Sequence, residues 1–472
     1  MAVALRPPAK EMRADAAERA RASRTRLLLE APIAPTLAKL AAPNVIAMFV
    51  QAAQGIAEAY FASRLGVTAL AGLALVFPLV MLTQMLSAGA IGGAISASIA
   101  RSLGASDTAR AATLTVTAWS IAACLALLMA FLVTMFGPLF FELLGGGPEA
   151  VAAATTYALT FFPGCIAIWL CNASLSVIRG TGDMRMPALV LLLVSLMSIV
   201  LAGGFALGWG PLPALGMAGL ALGPISAFAF GGSIAIGYIA FGRAGLAFRG
   251  AVRRLNADMF RDILTVGGLA SINTVFTTAT IIMMTGFVGR FGEAALAGYG
   301  LGARLEFMMI PVIFGIGAAM TAMVGANIGA GRIDRALRVA WTGSSAAAGI
   351  VGGIGLLLAI YPDLWLRLFL ASSNTAALEA GRSYFRIVGP FYGFFGLGLA
   401  LYFASQGAGR MTWPVISSLG RMAVAITGAL FFIKQTDIGL IGVFAAISGA
   451  MLVYGAIIGL AVLFGGWRPA RP

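Results

Sequence analysis

The chain has 472 residues, of which 60% are hydrophobic and 10% are charged, and its mean hydropathy is +0.96. About a quarter of the residues of a soluble globular protein are charged, so this composition excludes that class and predicts an integral membrane protein. The formal net charge is +14. Membrane topology and contact with anionic lipid explain it more simply than nucleic-acid binding does, so we expect lipid contact and no nucleic-acid partner.

The residue types that usually carry catalysis are scarce. The chain has no histidine, which removes the commonest metal ligand and proton relay together with the Ser-His and Cys-His nucleophile pairs. Its three cysteines, Cys124, Cys165 and Cys171, all fall in apolar segments, and an odd number argues against a disulfide framework. We therefore expect no enzyme activity, no metal site and no cofactor.

The first 35 residues mix Arg, Glu and Ala. They lack the apolar core of a cleavable signal peptide, so we interpret them as a cytoplasmic tail. A disordered tail and a helix lying on the membrane surface both fit this composition, and the sequence leaves the two alternatives open.

Twelve apolar runs follow this tail, and each is long enough to cross a bilayer, which takes about 20 residues. They predict an all-α membrane protein with an N-terminal six-helix lobe at 36–242, a cytoplasmic linker at 243–261, a C-terminal six-helix lobe at 262–465 and a tail at 466–472. The linker is polar and is predicted to include a short interfacial helix. The predicted spans are 36–62, 69–97, 111–136, 150–178, 186–208, 214–240, 262–289, 294–323, 337–360, 377–404, 413–433 and 438–464.

Polar side chains follow one face of the first predicted span. Asn44, Gln51, Gln54 and Glu58 are 7, 3 and 4 residues apart, which aligns them along one side of a helix. A carboxylate is costly in hydrocarbon, so such a residue faces a cavity or a partner and serves ion or proton pathways. We interpret Glu58 as a functional residue, whereas the three amides fit either a cavity lining or a hydrogen-bond ladder between helices.

The two halves of the chain repeat one pattern. GVTALAGLALVFP, from Gly66, is matched by GEAALAGYGLGAR, from Gly292, which begins 226 positions later. Two further pairs, RSLGASDTARA with NIGAGRIDRA and RGTGDMRMP with QGAGRMTWP, are offset by 225 and 227 positions. Six spans in each half give both copies the same orientation, and a parallel repeat of this kind is typical of transporters.

Four charged residues lie inside the predicted spans of the second lobe: Arg304, Glu306, Arg386 and Arg421. Arg304 and Glu306 are two positions apart, so they point to nearly opposite faces of a helix and should not pair. We expect Glu306 to form a buried ion pair with Arg386 or Arg421. Such a pair fits a structural role, and it also fits a functional one if it forms in only one state.

The basic residues predict the orientation in the membrane. With the N-terminus in the cytoplasm, the outside segments contain only Arg64, Arg290, Arg367, Arg382 and Lys434, while most other basic residues lie inside. Cytoplasmic loops carry an excess of Lys and Arg. We therefore predict a protein of the plasma (inner) membrane with both termini in the cytoplasm.

The repeated segments, together with the opening LAAPNVIAMFVQAAQGIAEAYFASRLG, resemble the multidrug and toxic compound extrusion (MATE) transporters. The motifs LGASDTARA, VGANIGAGRIDRA and RGTGDMRMP occur in the right order, and the resemblance extends from Thr36 to Gly465. It implies two six-helix lobes in a V shape. It also implies export of organic, often cationic, compounds in exchange for protons or sodium ions.

The resemblance implies a role for Glu58 in cation coupling. Family members carry an acidic residue, usually Asp, on the first helix shortly before a loop containing Leu-Gly, and Glu58 occupies that position. Some relatives add an acidic residue or Asn on the fifth helix, where this chain offers Ser195 and Ser198. Sodium needs several oxygen ligands, whereas one buried carboxyl group suits the uptake and release of a proton. We therefore favour proton coupling, with sodium as the alternative.

Amides complete the predicted coupling site. Gln54 lies one turn before Glu58, and Asn172 stands eight residues before Gly180, where similar sequences also carry an amide. Asn172 fits the lining of this lobe and fits helix packing equally well.

We predict a monomeric secondary antiporter whose two lobes alternate access to the two sides of the membrane. It exports amphipathic, cationic organic compounds, either drugs or metabolites. A lipid-linked oligosaccharide flippase is the alternative, for which we would expect more helices and a more basic cavity. A membrane-embedded enzyme would need an Asp or His cluster at one interface, and a channel would need a repeated filter segment. Possible substrate contacts in the second lobe are Asn273, Thr277, Met284 and Phe307.

Overall fold

A computed structural model of the protein describes residues 9–246, 255–435 and 438–467, with side chains from residue 18 onward. The described residues contain sixteen α-helices and no β-strand. The helices are α1 (Ala9–Glu30), α2 (Ile33–Leu65), α3 (Val67–Gln84), α4 (Gly92–Gly104), α5 (Thr108–Leu143), α6 (Pro148–Gly180), α7 (Arg185–Leu207), α8 (Gly216–Ala240), α9 (Ala257–Gly289), α10 (Glu293–Gly329), α11 (Ile333–Ile360), α12 (Asp363–Leu366), α13 (Thr375–Val388), α14 (Tyr392–Ala408), α15 (Thr412–Gln435) and α16 (Leu440–Leu463).

Twelve helical segments in the described part of the chain are long and apolar enough to cross a membrane, and each predicted span falls on one of them. The predicted all-α membrane fold is confirmed. Two spans are not continuous α-helices, which the hydropathy did not predict. A π-helix at Met85–Ile91 joins α3 to α4, and a 3-10 turn at Gly389–Phe391 joins α13 to α14. The second break contains Pro390, which lacks the N–H that an α-helix needs.

Helix ends follow local chemistry. Asp107 caps α5, where its side chain accepts a hydrogen bond from the backbone N–H of Arg110 at 2.8 Å. Pro148 begins α6 at a position where its missing N–H costs nothing. Gly208 ends α7 in the left-handed conformation that glycine adopts readily. These residues set where one span stops and the next begins.

Contacts divide the described residues into two compact units. Unit 1 holds those within Met1–Ala31, Ala42–Gly267 and Gly325–Gly331, and unit 2 holds those within Pro32–Ala41, Gly268–Val324 and Arg332–Pro472. The units differ from the predicted lobes in short segments. Pro32–Ala41 falls in unit 2, and Gly325–Gly331 falls in unit 1. The predicted linker was expected to include a short interfacial helix, and its residues 247–254 lie outside the described residues.

Unit 1 is built around α6, which packs against α3, α4, α5 and α8. The buried rings of Tyr157 and Phe161 stack on this helix with centroids 5.5 Å apart, and Phe162 meets Phe161 edge-on at 5.3 Å. Such aromatic clusters bury much apolar area and fix side-chain orientation. The core of unit 1 therefore lies along α6.

The N-terminal helix α1 packs onto unit 1. Arg24 donates a hydrogen bond to Asp183 at 2.9 Å, in the turn between α6 and α7. Leu28 is buried, and its carbonyl accepts a hydrogen bond from the Asn327 side chain at 3.1 Å. The sequence left open a disordered tail or a helix on the membrane surface. The described residues of the tail that form α1 are helical, and this helix contacts protein.

Within unit 1, the ends of α4 and α10 cross at two glycines. A Cβ on Gly104 would lie 2.0 Å from the carbonyl oxygen of Ala326, and a Cβ on Gly329 would lie 1.9 Å from that of Arg101. Gly104 and Gly329 are equivalent in the repeat, and so are Arg101 and Ala326. The contact is therefore reciprocal, and it requires glycine on both sides.

In unit 2, α10 packs against α13 through small residues. A Cβ on Gly298 would lie 2.5 Å from the backbone nitrogen of Gly381, and one on Gly302 would lie 2.1 Å from the Tyr384 ring. Close helix contact through glycine is common in membrane proteins. It brings Tyr384 against α10, one turn from Glu306.

Candidate functional site

In unit 1, α2 presents Glu58 next to Gln54. The Gln54 side-chain amide donates a hydrogen bond to a Glu58 carboxylate oxygen at 2.9 Å, as their spacing of four residues allows. Gln54 is buried and Glu58 is half-buried. Tyr157 of the aromatic cluster on α6 is close enough to interact electrostatically with Glu58. The carboxylate therefore has one amide donor on its own helix and an aromatic neighbour on another.

The remaining polar residues on α2 differ in burial. Asn44 is fully buried, whereas Gln51 is half-buried. Helical spacing brings Gln54 next to Glu58. The four polar residues predicted to share one face of the helix nevertheless differ in how deeply they are buried.

Asn172 makes its hydrogen bonds at the π-helix. Its amide donates to Ser87 Oγ at 2.9 Å and to Gln84 Oε1 at 3.3 Å, and both Asn172 and Ser87 are buried. Gln84 and Ser87 were missed by the sequence analysis, although two polar residues within an apolar run were a visible signal. π-helical turns are frequent at functional sites, so this cluster is a second polar feature of unit 1.

In unit 2, Glu306 lies in a cavity with three tyrosines nearby. Tyr384 donates a short hydrogen bond to a carboxylate oxygen of Glu306. The Tyr392 hydroxyl donates to the Tyr384 hydroxyl at 3.5 Å. Tyr299 meets the Tyr384 ring edge-on at 5.6 Å. Tyr384 and Tyr392 are fully buried. Hydroxyl donors therefore satisfy part of the hydrogen-bonding demand of this carboxylate.

Arg421 lines the same cavity from α15. Its guanidinium carbon lies 5.6 Å from the centroid of the Phe395 ring and 5.5 Å from that of Tyr454, within the range of cation–π attraction. Of the ion pairs between described residues, none includes Glu306 or Arg421. The structure therefore brings these two charges to one cavity without the direct ion pair that we expected.

The other two charges of the predicted network lie elsewhere. Arg304 is exposed, with its guanidinium 5.6 Å from the Phe369 ring, as expected for a residue facing away from Glu306. Arg386 is exposed on α13 and forms no ion pair with a described residue. Helical spacing could not reveal this separation, because it depends on how α10, α13 and α15 pack.

The four predicted substrate contacts are dispersed in the same way. Met284 lines the cavity of Glu306 and Arg421. Asn273 accepts a hydrogen bond from Ser418, and both residues are buried. Thr277 is half-buried, and Phe307 is 53% exposed and is not among the residues that line this cavity. Of the four, only Met284 lines the cavity that contains Glu306 and Arg421.

No group of three or more His, Cys, Asp or Glu side chains that could hold a metal ion occurs among the residues described. Glu58 and Glu306 are instead single carboxylates, each with a hydrogen-bond donor from a neutral side chain. Such groups can exchange a proton or a cation.

The described residues form twelve helices able to cross a membrane, with single carboxylates inside two of them, an arrangement that fits an ion or proton pathway. The family model MatE matches residues 43–203 and 270–431, one match in each half of the repeat. The two matches together cover more than half of the chain. The protein belongs to the MatE family, whose members are transporters and not enzymes, and the MATE resemblance is confirmed.

Relatives share the fold at low identity. The chain is 24% identical to the FAD transporter of Shewanella oneidensis, over 66% of this chain and 68% of that protein. It is 25% identical to the probable multidrug resistance protein NorM of Thermotoga maritima, over 68% of each chain. A solved multidrug resistance MATE transporter of the MOP superfamily matches with a TM-score of 0.85 and 23% identity, over 94% of this chain and 98% of that one.

Proposed function

We propose that the protein is a proton-coupled antiporter that exports amphipathic, cationic organic compounds by alternating access. It acts as a monomer in the plasma (inner) membrane with both termini in the cytoplasm. The observation that carries this proposal is Glu58, a half-buried carboxylate within an apolar span and hydrogen-bonded to Gln54. A carboxylate held in a membrane-spanning helix marks an ion or proton pathway.

The local chemistry of Glu58 favours a proton over a sodium ion. The Gln54 amide N–H donates to one carboxylate oxygen, and the buried Gln54 amide oxygen, which has no hydrogen-bond partner among the described residues, is the one further side-chain oxygen that this pair supplies. A protonated Glu58 is neutral and compatible with an apolar surrounding, whereas sodium would require several further oxygen ligands. In this mechanism proton and cationic substrate compete for the carboxylate, and this competition couples their opposite movements.

The relatives are named for FAD transport and for multidrug resistance, which supports organic small molecules as the substrates. The oligosaccharide flippase alternative is less favoured, because the described residues hold twelve spans and we expected more for such a protein.

Glu58→Gln tests the coupling assignment. The purified full chain is reconstituted in proteoliposomes, and movement of a cationic dye is measured under a pH gradient or under a sodium gradient alone. We expect the pH gradient to drive transport by the wild type and Glu58→Gln to fall to the level of empty liposomes, because glutamine cannot bind the proton. Glu142→Gln, an exposed carboxylate at the end of α5, is the matched control and should retain transport.

A binding measurement gives a second readout. In weakly buffered detergent solution, dye binding to the wild type should release a proton, and binding to Glu58→Gln should not. Transport by Glu58→Gln at the wild-type rate would disprove the coupling role. Transport driven by sodium alone would disprove the proton preference while leaving Glu58 as the candidate ion site.

A further inference from the structure

The N-terminal helix α1 is attached to unit 1 by two of its arginines. Arg24 pairs with Asp183 in the α6–α7 turn at 2.9 Å. Arg21 donates a hydrogen bond to the carbonyl oxygen of Gly245, after α8, at 2.7 Å. Asp183 is itself held in place, because it also accepts a hydrogen bond from the Tyr238 hydroxyl at 3.0 Å. The two arginines therefore fix α1 to the α6–α7 turn and to the segment after α8.

Leu28 provides a further attachment, which reaches α10. Its side chain is buried, and a Cβ on Gly182 of the α6–α7 turn would lie 3.0 Å from it. The carbonyl oxygen of Leu28 accepts the hydrogen bond of 3.1 Å from the side-chain amide of Asn327, which is fully buried. Asn327 lies on Gly325–Gly331, the end of α10 that belongs to unit 1. One residue of α1 therefore joins the α6–α7 turn to the end of α10.

The same turn of α10 forms the glycine crossing with α4. Asn327 lies between Ala326 and Gly329. These two residues contact α4 at Gly104 and at the carbonyl oxygen of Arg101. Helices α1 and α4 therefore hold one turn of α10 within unit 1. A contact that is made in one conformation and lost in another shifts their populations by its own free energy.

The composition of α1 makes its attachment reversible. Residues 18–26 consist only of Glu, Arg, Ala, Ser and Thr. Among the side chains of α1 that the structure describes, residues 18–30, Leu28 is the only fully buried one. Segments with few buried apolar contacts open at a lower free energy than the core of a protein. Helix α1 can therefore leave unit 1 without the unfolding of a membrane-spanning helix.

We propose that α1 is a strap that stabilises the closed crossing of α4 and α10 and detaches when this crossing opens during transport. The inference rests on the proposed function, because alternating access supplies the second conformation. Through Arg24 and Leu28 the strap joins the α6–α7 turn to the end of α10, so it favours the conformation in which α10 contacts α4. Attachment of α1 and closure of the crossing are linked, and each stabilises the other by the same free energy.

Hydrogen exchange of the purified full chain in detergent, followed by mass spectrometry, tests this proposal. Backbone amides at the ends of α4 and α10 exchange faster when the crossing opens more often. We expect Arg24→Gln to speed exchange in peptides covering Gly325–Gly331 and the last turn of α4 about threefold, because it removes a partly buried ion pair. Leu28→Ala should speed it about tenfold or more, because it removes a buried side chain.

Two further variants separate the strap from general damage. Arg26→Gln is the matched control: the Arg26 side chain is 80% exposed and pairs with Glu30 of α1 itself. It should leave exchange at the ends of α4 and α10 unchanged. Gly329→Ala gives the reverse test, because it forces α10 away from the Arg101 carbonyl oxygen, and it should speed exchange in α1. Peptides from α16, in unit 2, should exchange at the wild-type rate in Arg24→Gln and Leu28→Ala.

The proposal is overturned if Arg24→Gln and Leu28→Ala speed exchange in α1 alone, since α1 would then be attached without any effect on the crossing. It is also overturned if both variants speed exchange in α16 equally, which would indicate a general structural role, or if α1 in Gly329→Ala exchanges at the wild-type rate. These measurements need neither a dye nor a gradient. Wild-type transport by Glu58→Gln would therefore leave the exchange results unchanged, and the two proposals fail separately.

Discussion

Equivalent turns in the two repeats use different residues for one backbone conformation. Ser106 has φ +62° and Gly331 has φ +71°, and they are 225 positions apart. This left-handed region costs any residue with a Cβ about 1–2 kcal/mol. In the first copy the next residue, Asp107, caps α5 through Arg110. In the first copy this cap stabilises the turn. In the second copy a glycine, Gly331, occupies the left-handed position instead.

Ser106→Gly should stabilise the protein by about 1 kcal/mol, because glycine adopts this conformation without steric cost. The free energy of unfolding, measured in mixed micelles, provides the check. Gly331→Ser is the reciprocal control and should destabilise by a similar amount. A loss of stability in Ser106→Gly would mean that the serine hydroxyl matters more than the backbone strain.

Asp363 is the first residue of α12 and accepts hydrogen bonds from two arginines. Arg382 donates two bonds of 2.7 Å to its two carboxylate oxygens, and Arg367 donates one of 2.9 Å. The Arg382 bonds are the main reason that the pKa of Asp363 falls from 3.8 to about 2, while partial burial opposes the change and Arg367 adds to it. The ionised form is therefore stabilised in the folded protein.

This depressed pKa predicts how stability depends on pH. The contribution of Asp363 should be complete above pH 3.8 and should disappear as the pH falls toward about 2. Asp363→Asn should therefore melt at a lower temperature than the wild type at neutral pH, and the difference should shrink in acid. Thermal melts in detergent from neutral pH down to about pH 2 test this. A difference that is independent of pH would contradict it.

The candidate residues differ in how far their contacts could be predicted. Gln54 and Glu58 are one helical turn apart, so sequence spacing was enough to place them together. Asn172 meets Gln84 across two helices, and that contact depends on packing. Helix packing also determines that Arg386 lies away from Glu306, and spacing along the chain could not predict this separation.

Among the helices, the crossing of α4 and α10 within unit 1 shows why particular glycines recur in both repeats. Each glycine contacts the backbone at a carbonyl oxygen of the other helix. Arg101 at this crossing also donates to Asp262 at 2.7 Å, and Arg110 donates to the other oxygen of Asp262 at 3.0 Å. Glycine contact and ion pairs together hold the ends of α4, α5, α9 and α10 within this unit.

Gly329→Ala should destabilise the protein by about 1–3 kcal/mol, the usual cost of inserting a methyl group where none fits. The methyl group would lie 1.9 Å from the Arg101 carbonyl oxygen, so the backbone would have to move. Gly349→Ala is the control, since a Cβ there meets nothing within 4 Å, and it should be neutral or slightly stabilising. Thermal unfolding in detergent distinguishes them, and equal melting temperatures would refute the packing argument.

The breaks in the second and tenth spans show that long apolar runs need not be uniform helices. Gly389 and Pro390 interrupt the tenth span, whereas Pro163 and Pro224 lie inside continuous helices, so a proline alone did not predict the interruption. The π-helix at Met85–Ile91 contains no proline, so its sequence carried a weaker signal. It places Ser87 where Asn172 can donate to it, so the irregular turn and the polar cluster occur together.

Across the whole molecule, the repeat copies the scaffold but not the charges. By the repeat offset of 226, Glu58 corresponds to Met284, and Glu306 corresponds to Val80. Met284 lines the cavity that contains Glu306 and Arg421. Unit 2 therefore has a charged cavity at the place equivalent to Glu58, but its carboxylate comes from the neighbouring helix.

The two units differ in the charged residues that lie inside their spans. Unit 1 has an isolated carboxylate suited to a proton, and unit 2 has a carboxylate and a guanidinium in one cavity. Arg421 corresponds at an offset of 227 to Val194, which is fully buried in unit 1. Arg421 therefore has no charged counterpart in the first repeat.

The sequence by itself determined the twelve spans, the internal repeat, the family and the pairing of Gln54 with Glu58. These depend on apolar length and on helical period, which are local along the chain. Only the tertiary structure decided which distant residues meet: the glycines of α4 and α10, Asn172 with Gln84, and Glu306 with Arg421 in one cavity. Those contacts depend on how closely and at what rotation helices pack, and side-chain periodicity along one helix does not specify either quantity.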